Sequence, residues 1–378
     1  MYGKNFSLKI KYYICLLITL VGVVLFFFGY LFFDRQKISY LLKKRGVHEF
    51  NYHKYSRSVD GTGCTIDDLF AGGIKDYRSV NGLSAVACAS EDYLTVFSDV
   101  LRDLIGAHNK IKSGFRNKGN VDELKVIHLN IDPNNKYIIR SWLTVSRNLS
   151  NMPFRRAQSQ ISSHRSALII KNAFEFAKFK NVVYVDLGRL PSLPSTEEIS
   201  QKSAAEKCAL TVLDSQRDIF DLFESKNTMP ENIGMLFKND ASLCALVNGE
   251  DHLLVRSNVI DKDFADSMKR MYHFLDSLDL EFSIHRKYGY LTSRPENVGT
   301  GFTVNFVLKL PNLANNPKVL KNLTRSSGLL IWNIPNEGGN VFLLQNKVKI
   351  NITEVDILNK TILQVAELLQ TEEDLKQY

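Results

Sequence analysis

The sequence of 378 residues predicts an α+β protein, with helices first and an antiparallel sheet flanked by helices after them, preceded by one transmembrane helix. Three observations carry that prediction. Phe302, Val304, Phe306, Leu308 and Leu310 alternate with Thr303, Asn305, Val307 and Lys309, the period of two that marks a strand with one face in a core. Asn239-Asp240 stands between two apolar runs, a turn signal that makes those runs an antiparallel hairpin. Finally, Lys11 and Asp34 bracket the 22 uncharged residues Tyr12–Phe33. At about 1.5 Å per residue such a helix spans roughly 30 Å of hydrocarbon.

Taken in order, residues 1–11 form a short N-terminal tail and 12–33 the membrane span. A secretory signal would have a shorter apolar region, roughly 7–15 residues, and a small-residue cleavage site. Neither is present. Thr19, Gly22 and Gly29 give the span places where another helix can approach closely. Residues 34–125 read as a juxtamembrane segment and a small helical domain, with loops at Asp60-Gly61-Thr62-Gly63 and Asn81-Gly82. The remainder, 126–378, is the α/β part. Tyr137–Arg147 is rich in β-branched and aromatic residues and reads as a strand. Helices follow over 158–178 and 199–226, separated by the proline-rich loop Pro191–Pro194. Apolar stripes at helical spacing predict helices over 261–279 and over 353–370, the latter N-capped by Thr353. Between them lie a short strand, Tyr290–Thr292, and a loop punctuated by Pro295, Gly299 and Gly301.

The net charge of +8 and pI near 9.0 suggest a nucleic-acid surface until the charge is located. Residues 1–45 hold eight basic residues against Asp34 alone, which leaves 40 basic against 39 acidic over the rest. The excess is juxtamembrane, so the expected partner is a lipid bilayer and not nucleic acid. Five scattered cysteines, with no C-x-x-C pair and no His at ligand spacing, predict neither a metal site nor a disulfide framework.

The run Tyr288–Leu310 resembles the signature of the phosphagen kinases, the ATP:guanidino phosphotransferases that include arginine and creatine kinase. Pro295, Asn297, Gly299 and Thr300 keep the frame of that motif. The resemblance extends over about residues 38–370. Thr65–Ile74, Tyr93, Phe97 and Ile105 are similar to the family's small helical domain. Arg147, Asn148-Leu149 and Pro153-Phe154 match its first strand and the step after it, and Glu250-Asp251-His252 match its second conserved run. This implies a phosphagen kinase-like fold, a small all-α N-terminal domain plus a larger domain with an antiparallel sheet. Glu250 then stands where the family's guanidino-orienting carboxylate stands.

The same alignment implies that the chemistry is altered. The family's reactive Cys falls on Arg294, its hydroxyl residue on Glu296 and its adenine-side His on Val307. Its five phosphate-binding arginines fall on Trp142, Thr144, Leu254, Thr303 and Ser327, with Trp332 also in the family's flexible loop. Phosphoryl transfer depends on alignment and on fixed cations that neutralise the phosphates, and removing one well-placed electrostatic group costs roughly 2.7–4 kcal/mol. Arg140 shares a strand face with Trp142, Arg256 shares one with Leu254, and Arg294 enters the loop, so these three are the candidates for a displaced anion site. The step of about 6.7 Å per two strand residues sets them away from the original positions. The expectation is therefore an inactive enzyme with Glu250 as relic carboxylate, no bound cofactor, and a role as single-pass accessory subunit of a larger membrane complex. The inner mitochondrial membrane is the first expectation for its location, an endomembrane the second. The alternatives are an active membrane-tethered kinase using ATP and Mg, and a nucleotide sensor without transfer.

Overall fold

A computed structural model of the chain describes residues 38–39, 42–43, 51–75, 88–111, 114–116, 125–187, 232–334 and 339–376. Residues 38–39 and 42–43 are helical, and among the described residues the helices that follow before the sheet are α1 (Tyr52–Tyr55), α2 (Ile66–Lys75), α3 (Tyr93–Val96) and α4 (Ser98–Asn109). Thr65 starts α2 through a reciprocal cap, donating its backbone N–H to Asp68 Oδ2 at 3.0 Å and accepting from the Asp68 N–H at 3.2 Å. Ile66, Leu69, Phe70, Tyr93, Phe97, Leu101 and Ile105 are buried together. That cluster is completed by Phe154, Leu291, Val298 and Ile350 from the later part of the chain, so the helices are seated on the loop that precedes β8.

The α/β part runs β1 (Ile138–Arg147), α5 (Gln160–Ala177), β2 (Val182–Asp186), β3 (Gly234–Lys238), β4 (Leu243–Val247), β5 (Leu253–Asn258), α6 (Phe264–Ser277), β6 (Ile284–His285) and β7 (Gly289–Tyr290). It continues through β8 (Phe302–Lys309), α7 (Pro311–Asn315), α8 (Pro317–Ser327), β9 (Leu329–Asn333), β10 (Val341–Asn346) and α9 (Glu354–Asp374). Eight of the strands form one sheet in the order β2-β3-β4-β5-β1-β8-β10-β9, antiparallel at every pairing. The hairpin expected at Asn239-Asp240 is β3–β4.

The alternation in β8 has the consequence read from it. Phe302, Val304, Phe306 and Leu308 are fully buried, with Leu143, Val145, Leu253 and Val255 of the neighbouring strands, against Met268, Met271 and Phe274 of α6 and Ile357, Leu358, Ile362 and Val365 of α9. Those helix residues fall at helical spacing because one face of each covers the sheet. Caps set where the helices begin: Asp263 accepts from the Asp266 N–H at 2.9 Å and Thr353 from the Asp356 N–H at 3.1 Å.

One expectation changes. The strand placed at Tyr290–Thr292 is Gly289–Tyr290, because Tyr290 exchanges hydrogen bonds with Gly299 at 2.7 and 3.1 Å while the Ser293 N–H is captured by Asp251. The second face of β8 is not open along its length, since Asn305 and Val307 are buried. Among the described residues no helix is long and apolar enough to cross a membrane. The span expected at 12–33, the loop at Asn81-Gly82 and the helix expected over 199–226 lie outside the described residues.

The core predicts a hierarchy of stabilities. Phe306→Ala empties a fully buried site and should cost about 3–5 kcal/mol, whereas Thr353→Ala removes one cap and should cost about 1 kcal/mol. Urea unfolding midpoints of the two variants check the order; equal losses would contradict this account of the core.

Candidate functional site

The site is built where β1, β5 and the loop before β8 meet. Tight glycines shape that loop. Gly299 has φ +122°, and a Cβ there would meet the Lys349 carbonyl oxygen; Gly301 has φ +62°, and a Cβ there would meet the Ser146 carbonyl oxygen and Arg147. Thr300 donates its N–H to the Lys349 carbonyl at 2.9 Å, and Arg147 Nη1 donates to the Thr300 and Ser146 carbonyls, each at 2.8 Å. The Arg147 guanidinium also lies 3.5 Å from the centre of the Tyr290 ring.

Under this loop is a buried polar network. Asn148 donates to Asp251 Oδ1 at 2.7 Å and accepts from the His252 N–H at 2.9 Å; Asp251 Oδ1 also takes the Ser293 N–H at 2.7 Å. His252 accepts the Leu149 N–H at Nδ1 (2.9 Å), which leaves Nε2 protonated toward the Pro153 carbonyl at 3.0 Å. Burial pulls the His252 pKa down to about 4. Burial raises that of Asp251, against the hydrogen bonds it accepts. The helical part attaches to the same loop, with the Cys88 N–H donating to the Ser293 carbonyl at 2.7 Å.

Glu250 and Arg294, expected from the sequence at the carboxylate and thiol positions, are brought into direct contact: Arg294 Nε donates to Glu250 Oε1. Burial pushes Glu250 up to about 7, with Arg294 opposing the rise and Asp251 and Glu296 adding to it. Burial works against the Arg294 charge as well, yet Glu250 and Glu296 hold the guanidinium protonated. Lys349 is 3% exposed and burial lowers its pKa to about 8, with Glu296 opposing.

On the face of the sheet opposite the core, the strand register lines up Trp142 with Asn258 and Asn305, and Thr144 with Arg256 and Thr303. The Arg256 guanidinium stacks 4.2 Å from the Trp142 ring centre and donates from Nε to Asn258 at 2.9 Å. Asn305 donates to the Trp142 and Thr303 carbonyls at 3.3 Å and accepts from Gln345 Nε2 at 2.6 Å. Arg140 pairs across from Val307 and has interactions of its own.

Leu254 is turned into a separate apolar cluster with Met235, Cys244 and Leu246. Ser327 is not brought to the others. It ends α8, donating to the Thr324 carbonyl at 3.2 Å, and its own carbonyl accepts from Gln364 of α9. Trp332 is opposite Leu343, which is opposite Val307, so it shares the Trp142 face. Cys64 and Cys88 are free thiols, and among the described residues no cluster of His, Cys, Asp or Glu is arranged to hold a metal.

Sequence reasoning missed Ser293, Gln345 and Lys349. The Asn148 step was visible as a motif match, but nothing in the local sequence marks Gln345 or Lys349, whose roles arise from strand register and burial.

The antiparallel sheet, its covering helices and the loop before β8 form the scaffold that holds these residues. Residues 170–375, more than half of the chain, match the ATP:guanido phosphotransferase C-terminal catalytic domain. The chain belongs to the ATP:guanido phosphotransferase family. An arginine kinase of Schistocerca americana is 25% identical over 358 residues, covering 89% of this chain and 93% of that protein. A protein-arginine kinase of Syntrophomonas wolfei subsp. wolfei is 28% identical over 229 residues; the match covers 58% of this chain and 60% of that protein's length. The crystal structure of a lombricine kinase shares the fold, with a TM-score of 0.69 at 16% identity, over 88% of this chain and 92% of that one.

The network carries a pH signature. His252 has a folded value near 4, below its ordinary 6.5, so between those values the unfolded chain binds the proton more readily. Its contribution to stability is intact above pH 6.5 and is lost as pH falls toward 4, on the order of 3 kcal/mol in full. The difference in unfolding free energy between the wild type and His252→Gln, measured from pH 7 to pH 4, should shrink across that window. A difference that stays constant would mean His252 is not held neutral.

Proposed function

We propose that this chain is a family member that does not transfer phosphate and works as a membrane-anchored structural subunit of a larger assembly. One observation carries the reading: the arginines around the site are engaged by the protein itself. Arg256 is stacked on Trp142 and bonded to Asn258, Arg147 is bonded to two backbone carbonyls, and Arg294 is paired with Glu250. Between them the sheet face presents Thr144, Thr303, Asn305 and Gln345, an uncharged network. Neutralising a transferring phosphoryl group takes preorganised cations aimed at it. An arginine already satisfied by a ring, a carbonyl or a carboxylate would have to break those contacts first.

The anchoring part of the proposal rests on the 22-residue apolar run and the basic residues flanking it. The proposed partners are other subunits of a membrane complex, and the proposed location is the inner mitochondrial membrane. A fold that keeps its sheet and its helical part while its site is closed by its own side chains is useful through its surface.

The test is phosphoryl transfer by the full chain in mild detergent, with MgATP and arginine, creatine or taurocyamine as acceptor. No turnover is expected. A rate within a hundredfold of ordinary kinases, about 1–100 per second, would establish the active membrane-tethered kinase instead. Alkaline carbonate extraction tests the anchor: the chain should stay in the pellet, and its release would remove the membrane part of the proposal.

A further inference from the structure

A cleft lies where α8 ends against α9, apart from the site described above. Ser327 and Gly328 form one wall, Lys347 after β10 a second, and Lys360, Thr361 and Gln364 of α9 a third. Because α9 covers the core face of the sheet, the cleft is built on the side opposite the face that carries Trp142 and Arg256. Its cavity of about 20 Å³ has room for one oxygen-sized group and not for a ring.

The lining is one-sided in charge: it includes Lys347 and Lys360 and no carboxylate. Lys347 is half-buried, and burial and the neighbouring Lys110 both pull its pKa down. Among the described residues neither Lys347 nor Lys360 has an ion pair. Nor are these two ammonium groups needed to cap α8. The Thr324 carbonyl takes the Gly328 N–H at 3.1 Å and Ser327 Oγ at 3.2 Å, the Arg325 carbonyl takes Lys110 Nζ at 3.3 Å, and the Ser327 carbonyl takes Gln364. The walls are fixed by backbone as well. The Lys347 N–H donates to the Gly328 carbonyl at 3.2 Å, and His108 of α4 donates from Nε2 to the Lys347 carbonyl at 3.0 Å. A partly buried ammonium beside a second one costs stability, and an anion between such groups removes that cost.

We propose that this cleft binds a phosphate group, with Lys347 and Lys360 neutralising it from two walls, Lys110 adding its field, and the cavity admitting one terminal oxygen while the rest of the ligand stays outside. Inorganic phosphate and a phosphomonoester lipid headgroup offer that same chemistry. An occupied cleft would join the end of α4 to α8 and α9, and so hold the helical part to the sheet. The site does not depend on whether the chain transfers phosphate.

The test is thermal unfolding of the full chain in mild detergent. About 10 mM sodium phosphate should raise the melting temperature by roughly 2–4 °C over sodium chloride of equal ionic strength, by ligand linkage. Phosphate also stabilises folded proteins through its exclusion from their surface. Lys347→Gln and Lys360→Glu leave that general effect untouched, so both should lose the remainder of the shift. Lys318→Gln, an exposed position at the other end of α8, should respond as the wild type does. Dihexanoyl phosphatidic acid is tested beside dihexanoyl phosphatidylcholine: a shift with the former at much lower concentration than phosphate assigns the cleft to a lipid headgroup, and one at equal concentration assigns it to free phosphate.

The proposal is overturned if neither phosphate nor phosphatidic acid shifts the wild type beyond its control, or if Lys347→Gln and Lys360→Glu respond as fully as the wild type. Should Lys347→Gln not fold, Lys360→Glu, at an exposed helix position, decides alone. Detection of ATP turnover in the wild type would end the non-catalytic reading and leave this binding result in place.

Discussion

The hydrogen bonds around Asn148, Asp251 and His252 are the constraint on which the rest of the structure depends. All three residues are fully or almost fully buried, and each polar atom left without a partner there would cost about 1–3 kcal/mol. They are satisfied only if β1, β5, the Pro153 turn and the loop at Ser293 arrive together. Once the loop is held, it presents Leu291 and Val298 to the helical cluster and its backbone to Cys88. The helical part is therefore tied to the sheet through this loop, together with the Pro153-Phe154 step and the segment at Lys349, whose N–H groups donate to Ala89 and Asn109. The neutral tautomer of His252 is a consequence of the same arrangement, since both ring nitrogens are committed to backbone groups.

Around that framework the scaffold and the chemistry have separated. Packing asks only for volume and register, which the alternating apolar residues of β8 and the stripes of α6 and α9 supply. The face opposite the core is under a different demand, and its side chains satisfy one another. Trp142 takes up Arg256 as a stacking partner, and Gln345, Asn305 and Thr144 form a chain of neutral polar contacts. Family membership follows from the first property and says nothing by itself about the second.

The fold was legible where one element's own pattern decides its burial. Phe302 to Leu308 read as a core face, and Thr353 as a cap, from neighbours within a few residues. The site was legible as a set of positions, because Glu250, Arg294, Trp142 and Thr303 sit in motifs with fixed spacing. Their relations were not. That Arg256 lies on Trp142 depends on the β1–β5 register, and that Ser327 stands apart from the sheet face depends on how α8 packs on α9.

By itself the sequence determined the periodicities, the Thr353 cap, the turn at Asn239-Asp240, the glycine-shaped loop and the resemblance to guanidino kinases, all properties that a short window carries. Only the tertiary structure decided that Asn305 and Val307 are covered, that Tyr290 pairs with Gly299, and that the Arg294 guanidinium closes on Glu250. The reason is physical. Local backbone preference and hydrophobic pattern are set by adjacent residues, whereas burial of a charge and choice of its partner are set by groups distant in the chain. Arg294 and Glu250 are 44 residues apart, and nothing in either neighbourhood states that the loop will fold one guanidinium onto the other's carboxylate until the Asp251 network has brought them together.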